Sequence, residues 1–141
     1  MTSRQRRLTD AYTVGITLRE HLRDGSSLTP ALNSLDGPFD TLDDRYPDWH
    51  PAPYSFQGMI RLFLYREITG ESYRQLTQYP ELADAFGLER MPDESVLSRT
   101  WWRRFDEVSR EFITTAGHYV VRGVHDYGPS VPAVRPKEEN Y

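Results

Sequence analysis

The sequence predicts an all-α protein, a small helical bundle containing a helix-turn-helix-like unit and a long C-terminal helix. Three observations predict this class. Strand signals are nearly absent, the best being Tyr119-Val120-Val121 inside a helical pattern. Apolar residues recur at spacings of three and four through most of the chain. Gly, Pro, Ser and Asp fall at the ends of those runs, where helices start and stop.

The first helix is expected within 1–25, with Thr9 as its cap, Leu8, Tyr12, Ile16, Arg19 and Leu22 as its stripe, and Gly25 at its end. A short helical turn follows, capped by Thr29, with Pro30 at its first position and Gly37 just past its end. These make an N-terminal helical segment, 1–37. The run DGPFDTLDDRYPDWHPAPYS then holds four prolines and five aspartates around Phe39, Tyr46 and Trp49. Such a composition cannot continue a helix or a central strand, so 38–53 is an acidic, Pro-rich connector with aromatic anchors.

Ser55 opens the clearest helix, lined by Phe56, Met59, Ile60, Phe63, Leu64 and Ile68 and stopped at Thr69-Gly70. Ser72 and Gln75 have capping-box spacing ahead of a brief helix with Tyr73 and Leu76. Pro80 interrupts it and suits the first turn of another, in which Leu82, Ala83 and Phe86 pack before Gly87. After the turn LERMPDES, Asp93 caps a long amphipathic run. Leu97, Trp101, Phe105, Val108, Phe112, Ala116, Tyr119 and Val120 keep helical phase to about 124. The helical domain is therefore 54–125. The tail, 126–141, has three prolines and a charged end and is expected to be disordered alone.

Composition narrows the function. With 141 residues the chain holds one domain at most, large enough to bury a core. Cysteine is absent, so disulfides and zinc-thiolate sites are excluded, and the four histidines show no metal-ligand spacing. No apolar window approaches a membrane span or an export signal, so the chain reads as cytoplasmic. The formal net charge of −4 argues against a broadly basic nucleic-acid binder but leaves local patches open. Lys137 is the only lysine among seventeen basic residues, the rest being arginine. A G+C-rich coding sequence produces this bias, and so does a salt-adapted host, because guanidinium keeps pairing where ammonium is well solvated.

The informative stretch is 72–105. Two short helices, a turn and a third helix have the order of a helix-turn-helix, which lays the start of its last helix in the major groove. Its exposed side carries Ser95, Ser98, Arg99, Arg103 and Arg104, and no acid lies between Val96 and Phe105. Ser95, Ser98 and Arg99 are placed to meet bases and Arg103 and Arg104 to grip phosphates, since arginine's fork fits guanine edges and phosphate oxygens alike. The plainer reading is a solvated helix face, with its arginines paired to Glu107, four residues after Arg103, or to Asp93. Trp101 and Trp102, being adjacent, cannot both enter one core, so one of them meets a boundary or a partner.

Catalysis finds little support. The carboxylates lie in the connector or on solvated faces, and Glu107 with Glu111 forms half a metal site with no Glu-x-x-His partner. No oxyanion-forming glycine turn accompanies the serines near His118 or His125. Neither an enzyme nor a cofactor is expected.

Three motifs occur in order: Glu67-Ile68-Thr69-Gly70-Glu71-Ser72-Tyr73-Arg74-Gln75-Leu76, Leu82-Ala83-Asp84-Ala85-Phe86-Gly87-Leu88, and Met91-Pro92-Asp93-Glu94-Ser95-Val96-Leu97-Ser98-Arg99. With Tyr54-Ser55-Phe56 before them they cover roughly half the chain. This arrangement resembles the N-terminal region of insertion-sequence transposases of the DDE type, in the broad group that includes those abundant in haloarchaea. The resemblance implies recognition of double-stranded DNA at the element's terminal inverted repeats during transposition. It places the catalytic carboxylates on a downstream ribonuclease-H-like domain, of which 1–141 shows no strand pattern. The chain is accordingly expected to be a DNA-binding module or a fragment, partnered by DNA and by a catalytic domain or a second copy. The alternative is a helical interaction or dimerisation module that binds no DNA.

Overall fold

The computed structural model describes residues 3–35, 37, 39–46 and 53–127. Among them the chain is all-α: α1 (Ser3–Arg23), α2 (Leu28–Asn33), α3 (Phe56–Thr69), α4 (Tyr73–Leu76), α5 (Glu81–Ala85), α6 (Glu94–Arg99), a π-helical turn (Thr100–Arg104) and α7 (Glu107–Tyr127). No helix among the described residues is long and apolar enough to cross a membrane.

The centre is α3, which buries Met59, Ile60, Leu62, Phe63, Leu64 and Ile68 and so has almost no solvated face. Ser55 starts it, its hydroxyl accepting the Gly58 N–H at 3.1 Å. Gly70 ends it in the left-handed region (φ 75°), where a side chain would be strained. α7 packs on one side of α3, and α2 and α5 pack elsewhere on it. Arg61 extends from α3 to the end of α2, donating to the Leu32 and Leu35 carbonyls at 3.1 and 2.7 Å. The Leu32 carbonyl also accepts the Leu35 N–H at 3.3 Å, so Arg61 adds a second donor at the end of α2 and one to the Leu35 carbonyl just past it.

α1 lies along α7, but with another face than its periodicity predicts. It buries Ala11, Val14, Leu18 and Leu22, whereas Tyr12 and Ile16 are exposed. Small residues decide the matter. A Cβ on Gly15 would stand 2.8 Å from the Tyr119 ring, so α7 seats itself against the Ala11 and Gly15 side. Thr9 is not the cap: the helix already runs through it, and its hydroxyl donates to the Gln5 carbonyl. Likewise α2 starts after Ser27, two residues earlier than a Thr29 cap implies.

The long C-terminal helix expected over 94–124 is broken. Phe105 is extended (φ −81°, ψ 132°), and α7 starts afresh after Asp106, whose carboxylate accepts the Ser109 N–H at 2.8 Å. The apolar periodicity passes through this break in phase, which hides it. An aromatic cluster accounts for the corner. Phe105 is fully buried with its ring 5.1 Å from Phe63, Trp101 stacks on Phe63 at 5.4 Å, and Phe56 meets Phe105 edge-on at 5.7 Å. Burying Phe105 and Trp101 against α3 draws the backbone out of helical geometry.

The described part of the connector is anchored as its aromatics predict. Phe39 is buried and meets Phe112 edge-on at 6.0 Å, and Leu42 is buried beside it. Trp49 lies outside the described residues, as does the tail from 128 onward.

Candidate nucleic-acid interface

Three caps position the 72–105 stretch. The Ser72–Gln75 box is complete, with N–H donations of 3.1 and 2.8 Å closing the start of α4. Pro80 stands at the start of α5. At the start of α6, Asp93 accepts the Val96 N–H at 2.9 Å and the Ser95 hydroxyl at 2.8 Å. α6 rests on α4, and a turn over 86–93 brings the chain to it from α5.

α6 and the π turn together present two sides. Leu97, Thr100, Arg104 and Phe105 are buried and Trp101 is half-buried. Ser95, Arg99, Trp102 and Arg103 are exposed and Ser98 is half-buried. Spacings of three and four place these last five in one stripe. Among the described residues no hydrogen bond or ion pair holds the Arg99 or Arg103 guanidinium. Glu107 forms no ion pair with Arg103 there, while the Arg99 charge acts weakly on the Asp93 carboxylate, the other acid of the solvated-face reading.

Two of the five candidate residues need correction. Arg104 is not on the exposed face: it is 6% exposed. Its guanidinium forks onto Asp44, with both N–O distances 2.9 Å, and donates to the Tyr54 carbonyl at 2.7 Å. The Tyr46 ring lies 5.2 Å from it. Arg104 therefore clasps the connector to the π turn and has no fork left for a phosphate. Its position seven residues after Leu97 was the signal for burial. Ser95 stays exposed, but its hydroxyl proton is committed to Asp93, leaving it an acceptor only.

Missed as a site residue was Trp102, 64% exposed and in phase with Ser98 and Arg99. Arg110 reaches back from the first turn of α7 and donates to the Trp101 and Phe105 carbonyls at 3.1 and 2.6 Å. The same guanidinium lies 5.3 Å from the Trp102 ring centroid. Arg110 thus ties one carbonyl of the π turn and the Phe105 carbonyl just past it, and sets its charge beside the exposed indole.

Set against protein-family models, curated proteins and solved structures, the chain matches none of them. The site must therefore be judged on its own chemistry. Among the described residues no three His, Asp or Glu side chains gather as metal ligands. His118 Nε2 lies 3.5 Å from Glu67 Oε1, across α7 and α3. What the face offers is two exposed guanidinium groups, of which Arg99 also faces the Asp93 carboxylate, a small polar helix start and an indole.

Asp93 gives this face a pH dependence. The Val96 N–H above all, then the Ser95 hydroxyl and, more weakly, the Arg99 charge, hold its carboxyl below the ordinary aspartate value. A lowered folded-state pKa means that the cap's contribution is complete above the unfolded value and is lost as pH falls through the folded one. Asp93→Ala is expected to lower the melting temperature near neutral pH and to narrow that gap as pH drops from about 6 to about 3. Parallel wild-type and variant curves across that window would contradict the cap's role.

Proposed function

We propose that this chain is a DNA-binding N-terminal module of a transposase, docking the α6 and π-turn face on double-stranded DNA at element ends. One observation carries the reading: Arg99 and Arg103 stand one helical turn apart and exposed, with no hydrogen bond or ion pair to described neighbours beyond the weaker pull of Asp93 on Arg99, on an acid-free stretch of an acidic chain. Phosphate contacts supply most of the affinity of such binding, and base-edge contacts its selectivity. Arg103 suits the first task, and Arg99 with Ser98 suits the second, with Ser95 accepting from a base amino group. The order of the three transposase-like motifs supports the same reading.

Fluorescence anisotropy with a blunt duplex carrying the inverted repeat that flanks the coding sequence tests it. One phosphate contact, through Arg103, predicts a log–log salt slope of about −1, and Arg103→Glu should lower affinity roughly tenfold and flatten the slope. Binding that ignores salt, or that is equal on scrambled duplex and in the Arg99→Glu variant, would sink the proposal.

A second reading rests on α1, where Tyr12 and Ile16 are exposed at 49% and 44% and Tyr12 meets Tyr119 edge-on. That strip suits a protein partner, either a catalytic domain or a second copy. A dimer in light scattering that Ile16→Asp dissolves, with no DNA binding by any variant, would favour it.

A further inference from the structure

The Trp102 indole is 64% exposed and lies beside a fixed cation. Arg110 is fixed by two carbonyl acceptors at 3.1 and 2.6 Å and lies 5.3 Å from the Trp102 ring. The bracing removes rotamer freedom that a ligand would otherwise have to freeze. Arg99 and Arg103, three residues before and one after Trp102, give the platform cationic flanks on its own stripe. A π-helical turn, a geometry that recurs at functional sites, carries the indole. A flat, braced aromatic beside the exposed Arg103 guanidinium, which no described neighbour pairs, matches a nucleobase with its adjoining phosphate, because every base has a face to stack and every link a negative charge.

We propose that Trp102 is a stacking site for an unpaired nucleotide of DNA, as at a frayed or single-stranded end, with Arg103 holding the adjoining phosphate. This rests on the duplex-binding reading and adds to it a preference for ends that expose a base. A protein partner with acidic residues is the competing occupant, and the assay separates the two.

The full chain is titrated into two labelled probes: a blunt 20-base-pair duplex, and the same duplex with a four-nucleotide single-stranded extension. One stacked base should make the extended probe bind about tenfold tighter. In Trp102→Ala the two probes should bind alike, while Trp102→Phe keeps most of the difference. Circular dichroism on each variant checks that the fold is intact, as expected for an exposed side chain. If wild-type chain binds both probes equally, Trp102 stacks no base and this proposal falls while duplex binding stands. If neither probe binds, both proposals fall. If Trp102→Ala instead abolishes self-association seen without DNA, the indole is a contact between copies and the proposal is overturned.

Discussion

Phe63→Ala is expected to cost about 4 kcal/mol of stability, because it deletes a fully buried ring and leaves a cavity that rigid neighbours cannot fill. Phe63 is where α3, α4 and the π turn meet: its ring contacts Tyr73 at 6.0 Å, Trp101 at 5.4 Å and Phe105 at 5.1 Å. A domain of this size has about 5–15 kcal/mol in all, so the variant should melt more than 10 °C lower. Phe63→Leu keeps most of the volume and should lose about 1.5 kcal/mol or less. Urea unfolding followed by far-ultraviolet circular dichroism measures both. A Phe63→Ala variant within about 1 kcal/mol of wild type would mean that the aromatic cluster does not hold the corner at Phe105.

Breaking the clasp between Arg104 and Asp44 should cost about 3 kcal/mol, at the low end for a buried pair because the Asp44 side chain keeps 28% exposure and can be rehydrated. The two halves are unequal. Asp44→Ala strands a guanidinium that is only 7% exposed, whereas Arg104→Ala leaves a carboxylate that water can reach and a Tyr54 carbonyl without its donor. Asp44→Ala should therefore be the worse of the two. The double variant Asp44→Leu, Arg104→Met should recover much of the loss, as apolar replacements of buried ion pairs often do. The same series separates the residue's two possible tasks. If Arg104→Met melts like wild type yet loses duplex binding and salt dependence, Arg104 contacts phosphate after all and the clasp is incidental.

Local chemistry carried much of the fold into the sequence. The Ser72–Gln75 box, the Ser55 and Asp93 caps, Pro80 and the stop at Gly70 are short-range features, each set by residues within four positions of one another, and each stands where its spacing places it. Legibility failed where distant packing decides. The side of α1 that is buried depends on Tyr119 needing room beside Gly15, a contact across more than a hundred residues. The break after Phe105 left the hydrophobic phase intact, and the cap that restarts the helix, Asp106 ahead of Ser109, was overlooked inside an apolar run. Of the candidate face, Arg99 and Arg103 were readable from charge and spacing. Arg104 was not, because its partner Asp44 sits sixty residues upstream. Which tryptophan stays outside was settled by Phe63 taking Trp101 as its stacking partner.

The corner at Phe105 also fixes a direction. An unbroken helix over 94–127 would be a rod about 50 Å long, and its azimuth at one end would follow every twist at the other. Because the π turn and α7 meet at an extended residue, the orientation of the Arg99 and Arg103 stripe is set by the aromatic wedge on α3 and by the Arg110 brace. Lengthening or retwisting the distal half of α7 would leave the aim of that stripe unaltered.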